Sequence, residues 1–290
     1  MSGRMPTAAD RSAAGQQNVL VTGASSGIGA ATAAEFANRG YRVFAAARRE
    51  DVLASLAAGK TNVRAVGMDV SDPESVRRGW AKIDAETGGA GVDVLVNNAG
   101  FALPGPVELL AGADVERQFR TNVLGLLEVT RAALPGMRTR RSGRIINVSS
   151  IVGRATFPGM GVYGATKYSV EALSDALRLE LAGFGIKVVI IEPGFVATGI
   201  GAAADAAPLA DGDIPADYAA MVAGGAQYLA GQITNGIGPG HVATAIANAA
   251  QRRNPKARYI VPGSVAPTVA LLTSLPVRLA DRAKLRRAAA

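Results

Sequence analysis

With 290 residues, 49% of them hydrophobic and only 19% charged, the chain can bury a large core, which excludes a solvated disordered polymer. It has no cysteine, which excludes disulfides and thiolate chemistry. The net charge of +8 is mostly scattered; its two concentrations, Arg138-Arg140-Arg141-Arg144 and Arg278-Arg282-Lys284-Arg286-Arg287, lack interleaved aromatics, so no nucleic-acid partner is expected.

In chain order, residues 1–17 carry no continuous apolar stretch and read as a loose tail without a secretory signal, so a cytoplasmic protein is expected. Apolar runs then alternate with helical patterns: Val19 to Val21, Ala30 to Arg39, Tyr41 to Ala46, Leu53 to Ala58, Val63 to Val66, Pro73 to Glu86 and Val92 to Val96. Val115 to Leu134, Arg144 to Val148, Tyr163 to Leu181 and Lys187 to Ile191 continue the βαβ rhythm. Runs without polar alternation suit parallel strands covered on both faces, so one α/β domain over 18–290 is expected.

Gly199 to Gly240 is rich in Ala and Gly and shows no strand; it reads as an irregular lid at about 199–240. A helix near His241 to Arg253, a strand at Tyr259-Ile260-Val261 and a helical extension at about 266–290 follow. Ile260 to Val277 is uncharged, but Pro262, Pro267 and Pro276 would break a spanning helix, leaving surface attachment to a membrane as the lesser alternative.

Strand Val19-Leu20-Val21 runs directly into Thr22-Gly23-Ala24-Ser25-Ser26-Gly27-Ile28-Gly29 and then a helix. Gly23 suits a tight turn, Gly27 lets backbone approach a pyrophosphate, and Gly29 allows close helix packing. No Gly-Lys-Ser/Thr follows, so a dinucleotide is expected rather than a nucleoside triphosphate. At the exit of the second strand, Ala47-Arg48-Arg49 offers arginine where an acid would hold a ribose hydroxyl, so NADP(H) is expected over NAD(H), unless one arginine merely closes the strand.

Tyr163 and Lys167 stand four apart and share one helix face. A neighbouring ammonium favours phenolate, which would draw the tyrosine down from about 10 toward a working acid/base. The lone His241 and the absence of a His/Cys/carboxylate cluster give no reason to expect a metal.

Thr22 to Gly29, Asp69-Val70, Asn97-Asn98-Ala99-Gly100, Asn122-Val123, Ser149-Ser150, Tyr163 to Lys167 and Pro193-Gly194, in this order and spacing, resemble the short-chain dehydrogenase/reductase family over about residues 18–200. Arg258-Tyr259-Ile260-Val261 looks like its steroid- and retinoid-active, 17-beta-hydroxysteroid dehydrogenase-like subgroup. The resemblance implies a doubly wound Rossmann sheet of seven mostly parallel strands, order 3-2-1-4-5-6-7, and a homodimer or homotetramer. It implies catalytic roles for Asn122, Ser150, Tyr163 and Lys167. It further implies cofactor contacts by Gly23, Ser25, Ser26, Gly27, Ile28, Gly29, Arg48, Arg49, Asp69, Val70, Asn97, Ala99 and Gly100, with Tyr163, Lys167, Pro193, Gly194, Val196 and Thr198 on the nicotinamide side. Asn122 could equally bridge backbone, and Ser149 and Ser150 could form turns.

The expected activity is NADP(H)-linked interconversion of a lipophilic alcohol and carbonyl compound. Phe101, Leu103, Phe157, Met160, Phe195, Tyr218 and Met221 are candidate apolar lining. A non-catalytic NADP-binding regulator and a nucleotide-sugar epimerase are the alternatives.

Overall fold

A computed structural model describes residues 15–197 and 214–288. Seven strands, β1 (Asn18–Thr22), β2 (Arg42–Ala47), β3 (Val63–Gly67), β4 (Val94–Asn97), β5 (Gly143–Val148), β6 (Ile186–Pro193) and β7 (Arg258–Val261), form one sheet in the order β3-β2-β1-β4-β5-β6-β7. All six pairings are parallel. Strand order reverses between β1 and β4, so their outgoing loops part and leave a crevice at the carboxyl edge.

The uninterrupted apolar runs are explained by two cores, one per face. Val19, Val21, Val43, Ala45, Val94 and Val96 enter one core, while Leu20, Phe44, Ala46 and Leu95 enter the other. Successive residues point to opposite faces of a pleated strand, so a strand covered twice has no polar side. Burying each large side chain, such as the fully buried Phe36 or Phe44, contributes about 1.5–3 kcal/mol relative to exposure.

The helices before the last sheet crossings are α1 (Gly27–Asn38), α2 (Glu50–Ala57), α3 (Pro73–Thr87), α4 (Gly112–Phe119), α5 (Gly125–Arg140) and α6 (Gly161–Glu180). After β6 come α7 (Ala216–Thr234), α8 (Pro239–Gln251), α9 (Ala266–Ser274) and α10 (Val277–Ala288). Pro73 in the first turn of α3, the Asp72 carboxylate accepting from Glu74 N, and left-handed Gly88 at its end mark that helix's bounds in sequence. The helix expected over Val115 to Leu134 is instead α4 and α5 joined by a π turn, Arg120–Leu124, and continues through Pro135 to Arg140.

The described part of the expected irregular lid is the 19-residue helix α7. Its Ala-rich sequence favours helix without the apolar periodicity that announces one. Among the described residues, no helix is long and apolar enough to cross a membrane.

A polar rung crosses the buried sheet. Asn97 and Asn147 pair in register on β4 and β5. Asn97 Nδ2 donates to Asn147 Oδ1 at 2.9 Å and to Thr130 Oγ1 of α5 at 3.0 Å, and Asn147 Nδ2 donates to Ser174 Oγ of α6 at 2.8 Å.

Candidate active site

The crevice is closed at its base by Thr22 and Asn98, motif residues to which the sequence assigns no role of their own. Thr22 Oγ1 accepts from Asn98 N at 3.0 Å and Ala99 N at 3.1 Å, and Asn98 Nδ2 donates to Thr22 O at 3.0 Å. The loops after β1 and β4 are thereby fastened together. Gly23 and Gly27 take left-handed φ values of 65° and 53°. A Cβ on Gly29 would come within 2.2 Å of Gly23 O, so the loop can close on α1 only with glycine there.

This cradle fits a dinucleotide. Ser26, the residue before α1, makes no side-chain cap, so it leaves the first-turn amides of that helix to an anion. Ser25 accepts from Arg49 Nη2 at 3.1 Å, and Arg48 and Arg49 are both exposed at the exit of β2. Asp69 turns its carboxylate onto Ser71 N at 2.9 Å and Ser71 Oγ at 2.6 Å, while Val70 is buried against Gly125.

Other cofactor candidates are divided by the fold. Ile28, Gly100, Pro193, Gly194 and Val196 line the crevice, and Thr198 lies outside the described residues. Asn97 does not reach it, because its amide is committed to the polar rung; Asn98 lines the crevice instead. Ala99 contributes its backbone amide to Thr22.

Chemistry concentrates where β5 meets α6. Ser150 ends the β5 loop with Oγ accepting from Val152 N at 3.3 Å and donating to Pro193 O at 3.4 Å, and it lines the crevice together with Tyr163. Ser149 also lines the crevice, but its buried hydroxyl has no partner. Lys167, one turn after Tyr163 on α6, donates from Nζ to Val148 O at 2.9 Å and lies 5.6 Å from the Tyr163 ring centre.

Burial pushes Tyr163 up to about 12, with Ser150 opposing, and pushes Lys167 down to about 8. The expected lowering of the tyrosine is therefore reversed in the ligand-free protein. Desolvation disfavours phenolate more than a lysine held by a carbonyl can restore.

Asn122 sits in the π turn with both polar atoms engaged. Oδ1 accepts from Phe101 N at 3.0 Å, and Nδ2 donates to Phe101 O at 2.9 Å and Thr166 Oγ1 at 3.1 Å. It bridges the β4 loop to α6 beside the lysine.

The apolar wall differs from the expected one. Gly100, Ala102 and Pro104 line the crevice, whereas Phe101 and Leu103 are buried behind it, as alternation along an extended segment requires. Met160 and Phe195 line it, and Phe157 packs against the Tyr163 cluster. From α7 the lining residues are Leu229 and Ile233; Tyr218 reaches Glu108 Oε2 at 2.6 Å, and Met221 is exposed.

The sequence profile of the short chain dehydrogenase family matches residues 17–208. The chain belongs to this family. Among its relatives is an uncharacterized oxidoreductase, YbbO, of Escherichia coli K12, 36% identical over 268 residues, 92% of this chain and 93% of that one. A 3-ketodihydrosphingosine reductase of Bacteroides thetaiotaomicron is 37% identical over 242 residues, 83% of this chain and 86% of that one. A short-chain dehydrogenase structure from Streptomyces avermitilis superposes with a TM-score of 0.80 at 34% identity, covering 94% of this chain and 98% of that one.

Solved family members differ in the cofactor they hold. A serine dehydrogenase complexed with NADP+ has a TM-score of 0.73 at 30% identity, covering 84% of this chain and 94% of that one. A Burkholderia phymatum short-chain dehydrogenase in complex with NAD has a TM-score of 0.78 at 28% identity, covering 88% and 92%. The protein is thus an oxidoreductase of the short-chain dehydrogenase family with NAD- and NADP-bound structural neighbours.

Proposed function

We propose that the protein is an NADP(H)-dependent oxidoreductase that interconverts a lipophilic alcohol and its ketone or aldehyde, of the steroid- and retinoid-active kind. The observation that carries this reading is the convergence of Tyr163, Ser150 and Lys167 on one mostly apolar crevice. One reactive polar point in an apolar wall suits a lipophilic carbonyl compound. The similarity to a reductase named for a ketosphingoid lipid supports the same class.

Bound NADPH would supply the hydride. Tyr163, kept neutral by its burial, carries the proton that a developing alkoxide takes, and Ser150 orients that oxygen. Lys167, titrating at about 8, is mostly cationic at neutral pH and faces the phenolate left behind. Asn122 holds the β4 loop against α6 so that these groups keep their spacing. Arg49, beside Ser25, and Arg48, exposed next to it, support preference for a 2′-phosphate.

The test follows NADPH absorbance across a panel of steroid, retinoid and long-chain ketones and aldehydes. Tyr163→Phe should lose about 10²–10⁴ of turnover while NADPH affinity stays within about twofold. Turnover equal to the parent would overturn the mechanism, and no turnover by the parent on any member would favour a dinucleotide-binding regulator. Arg48→Asp should weaken NADPH at least about tenfold and leave NADH within about twofold.

A further inference from the structure

Lys167 is 6% exposed, and its ammonium is held by a neutral carbonyl rather than by a carboxylate at ion-pair distance. A buried cation placed this way needs a counter-charge close by. One turn along α6 stands Glu171, also 6% exposed, with Oε2 accepting from Arg258 Nε at 2.9 Å and Oε1 buried without a partner. Glu192, fully buried on β6, brings its Oε1 to the same Arg258 Nε at 3.3 Å and to Arg154 Nη1 at 3.3 Å; its Oε2 has no partner.

The two carboxyls converge on one guanidinium N–H, so they share its charge, and Glu192 has Arg154 besides. The other charges are more exposed. On α6, Asp175 takes Arg258 Nη2 at 2.6 Å and Arg178 Nη1 at 2.5 Å; from the loop after β5, Arg154 reaches only Glu192. Burial and the neighbouring Glu171 push the Glu192 carboxyl up, with Arg154 and Arg258 opposing. Glu171, one turn from Lys167 on the same helix, opposes the lowering that burial imposes on the lysine.

We propose that Glu171 is the positioning counter-charge that keeps Lys167 cationic, with Glu192 as the second carboxyl sharing Arg258. The proposal deepens the reading of Lys167 as the working ammonium, on which it rests. Glu192 also immediately precedes Pro193, whose carbonyl accepts from Ser150, so the same cluster braces the wall that carries the serine.

The experiment is competitive labelling of the full chain with trace acetic anhydride across pH, reading acetylation of Lys167 by peptide mass spectrometry without substrate. The parent should show a midpoint of about 8. Glu171→Gln should lower it by about one pH unit, a tenfold change in proton affinity. Arg258→Gln removes the cation competing for Glu171 and should raise it by about half a unit. Glu192→Gln, which removes the second carboxyl on Arg258, should leave it within about 0.3 unit. A merely structural role moves the three variants in no such signed order. An unmoved midpoint in Glu171→Gln, or shifts of the same sign in Glu171→Gln and Arg258→Gln, would overturn the proposal. Because labelling needs no turnover, a parent inactive on every ketone would sink the catalytic reading while leaving this result legible.

Discussion

From β1 to β6 the chain is held by two apolar cores that leave nearly every strand residue buried, whereas α7 spans 19 residues without one buried side chain. The terminal helices resemble α7: α9 buries only Val269, and Ala280 is the buried anchor of α10. The crevice lies between these two kinds of structure. Ser150, Tyr163, Lys167 and the glycine turn come from the densely packed side, while Leu229 and Ile233 come from the thinly packed one. Groups that must hold a reaction geometry are over-determined, and groups that only shape a substrate wall can change at small structural cost.

The sharpest way to break this contrast is Gly29→Ala. A methyl group 2.2 Å from Gly23 O has no room, so the turn must open; dinucleotide affinity by fluorescence titration should fall at least about 100-fold, with a lower melting temperature. Wild-type affinity would show that the turn is not the rigid element described. On the thin side, Leu229→Ala and Ile233→Ala should each raise KM for a lipophilic ketone about tenfold while shifting the melting temperature by no more than about 2 °C. A large loss of stability there would erase the distinction.

A further effect concerns the cost of rigidity. Lys167 titrates at about 8 in the folded chain against 10.5 for a free lysine. Below pH 8 both folded and unfolded states carry the proton, and the penalty of burying it is fully present. Between those two values the unfolded chain binds more protons, so stability rises with pH. Lys167→Met, although inactive, should therefore melt higher than the parent at pH 7, by up to about 3 kcal/mol, and lose that advantage near pH 10. Equal melting at both pH values would mean that the ammonium is not desolvated.

The same contrast explains what the sequence made legible. Sheet order and the choice of Ser150 are what the family resemblance implies. The glycine turn, the Tyr163 and Lys167 pair and the parallel strands follow from local spacing and periodicity, which survive translation into three dimensions. The substrate wall does not. Phe101 and Leu103 are close to the site in sequence, but extended chain alternates, and Gly100, Ala102 and Pro104 take the inward side. On α7 the aromatic Tyr218 drew attention, while the lining pair Leu229 and Ile233, four residues apart, was the helical signal. The tyrosine's acidity was misjudged because a neighbouring lysine can be read from spacing, whereas burial depends on everything packed around it.

The amide rung through Asn97 and Asn147 bears on how the site comes to exist at all. A slip of β5 that set Asn147 opposite Val96 would strand buried amide atoms without partners, each costing about 1–3 kcal/mol. Ser149 and Ser150 directly follow β5, and Ser174 rides on the same helix as Tyr163. Misaligned sheets are thus rejected during assembly by the very residues that fix how far the serine stands from the tyrosine: the chain proofreads its own alignment before it has a site to offer.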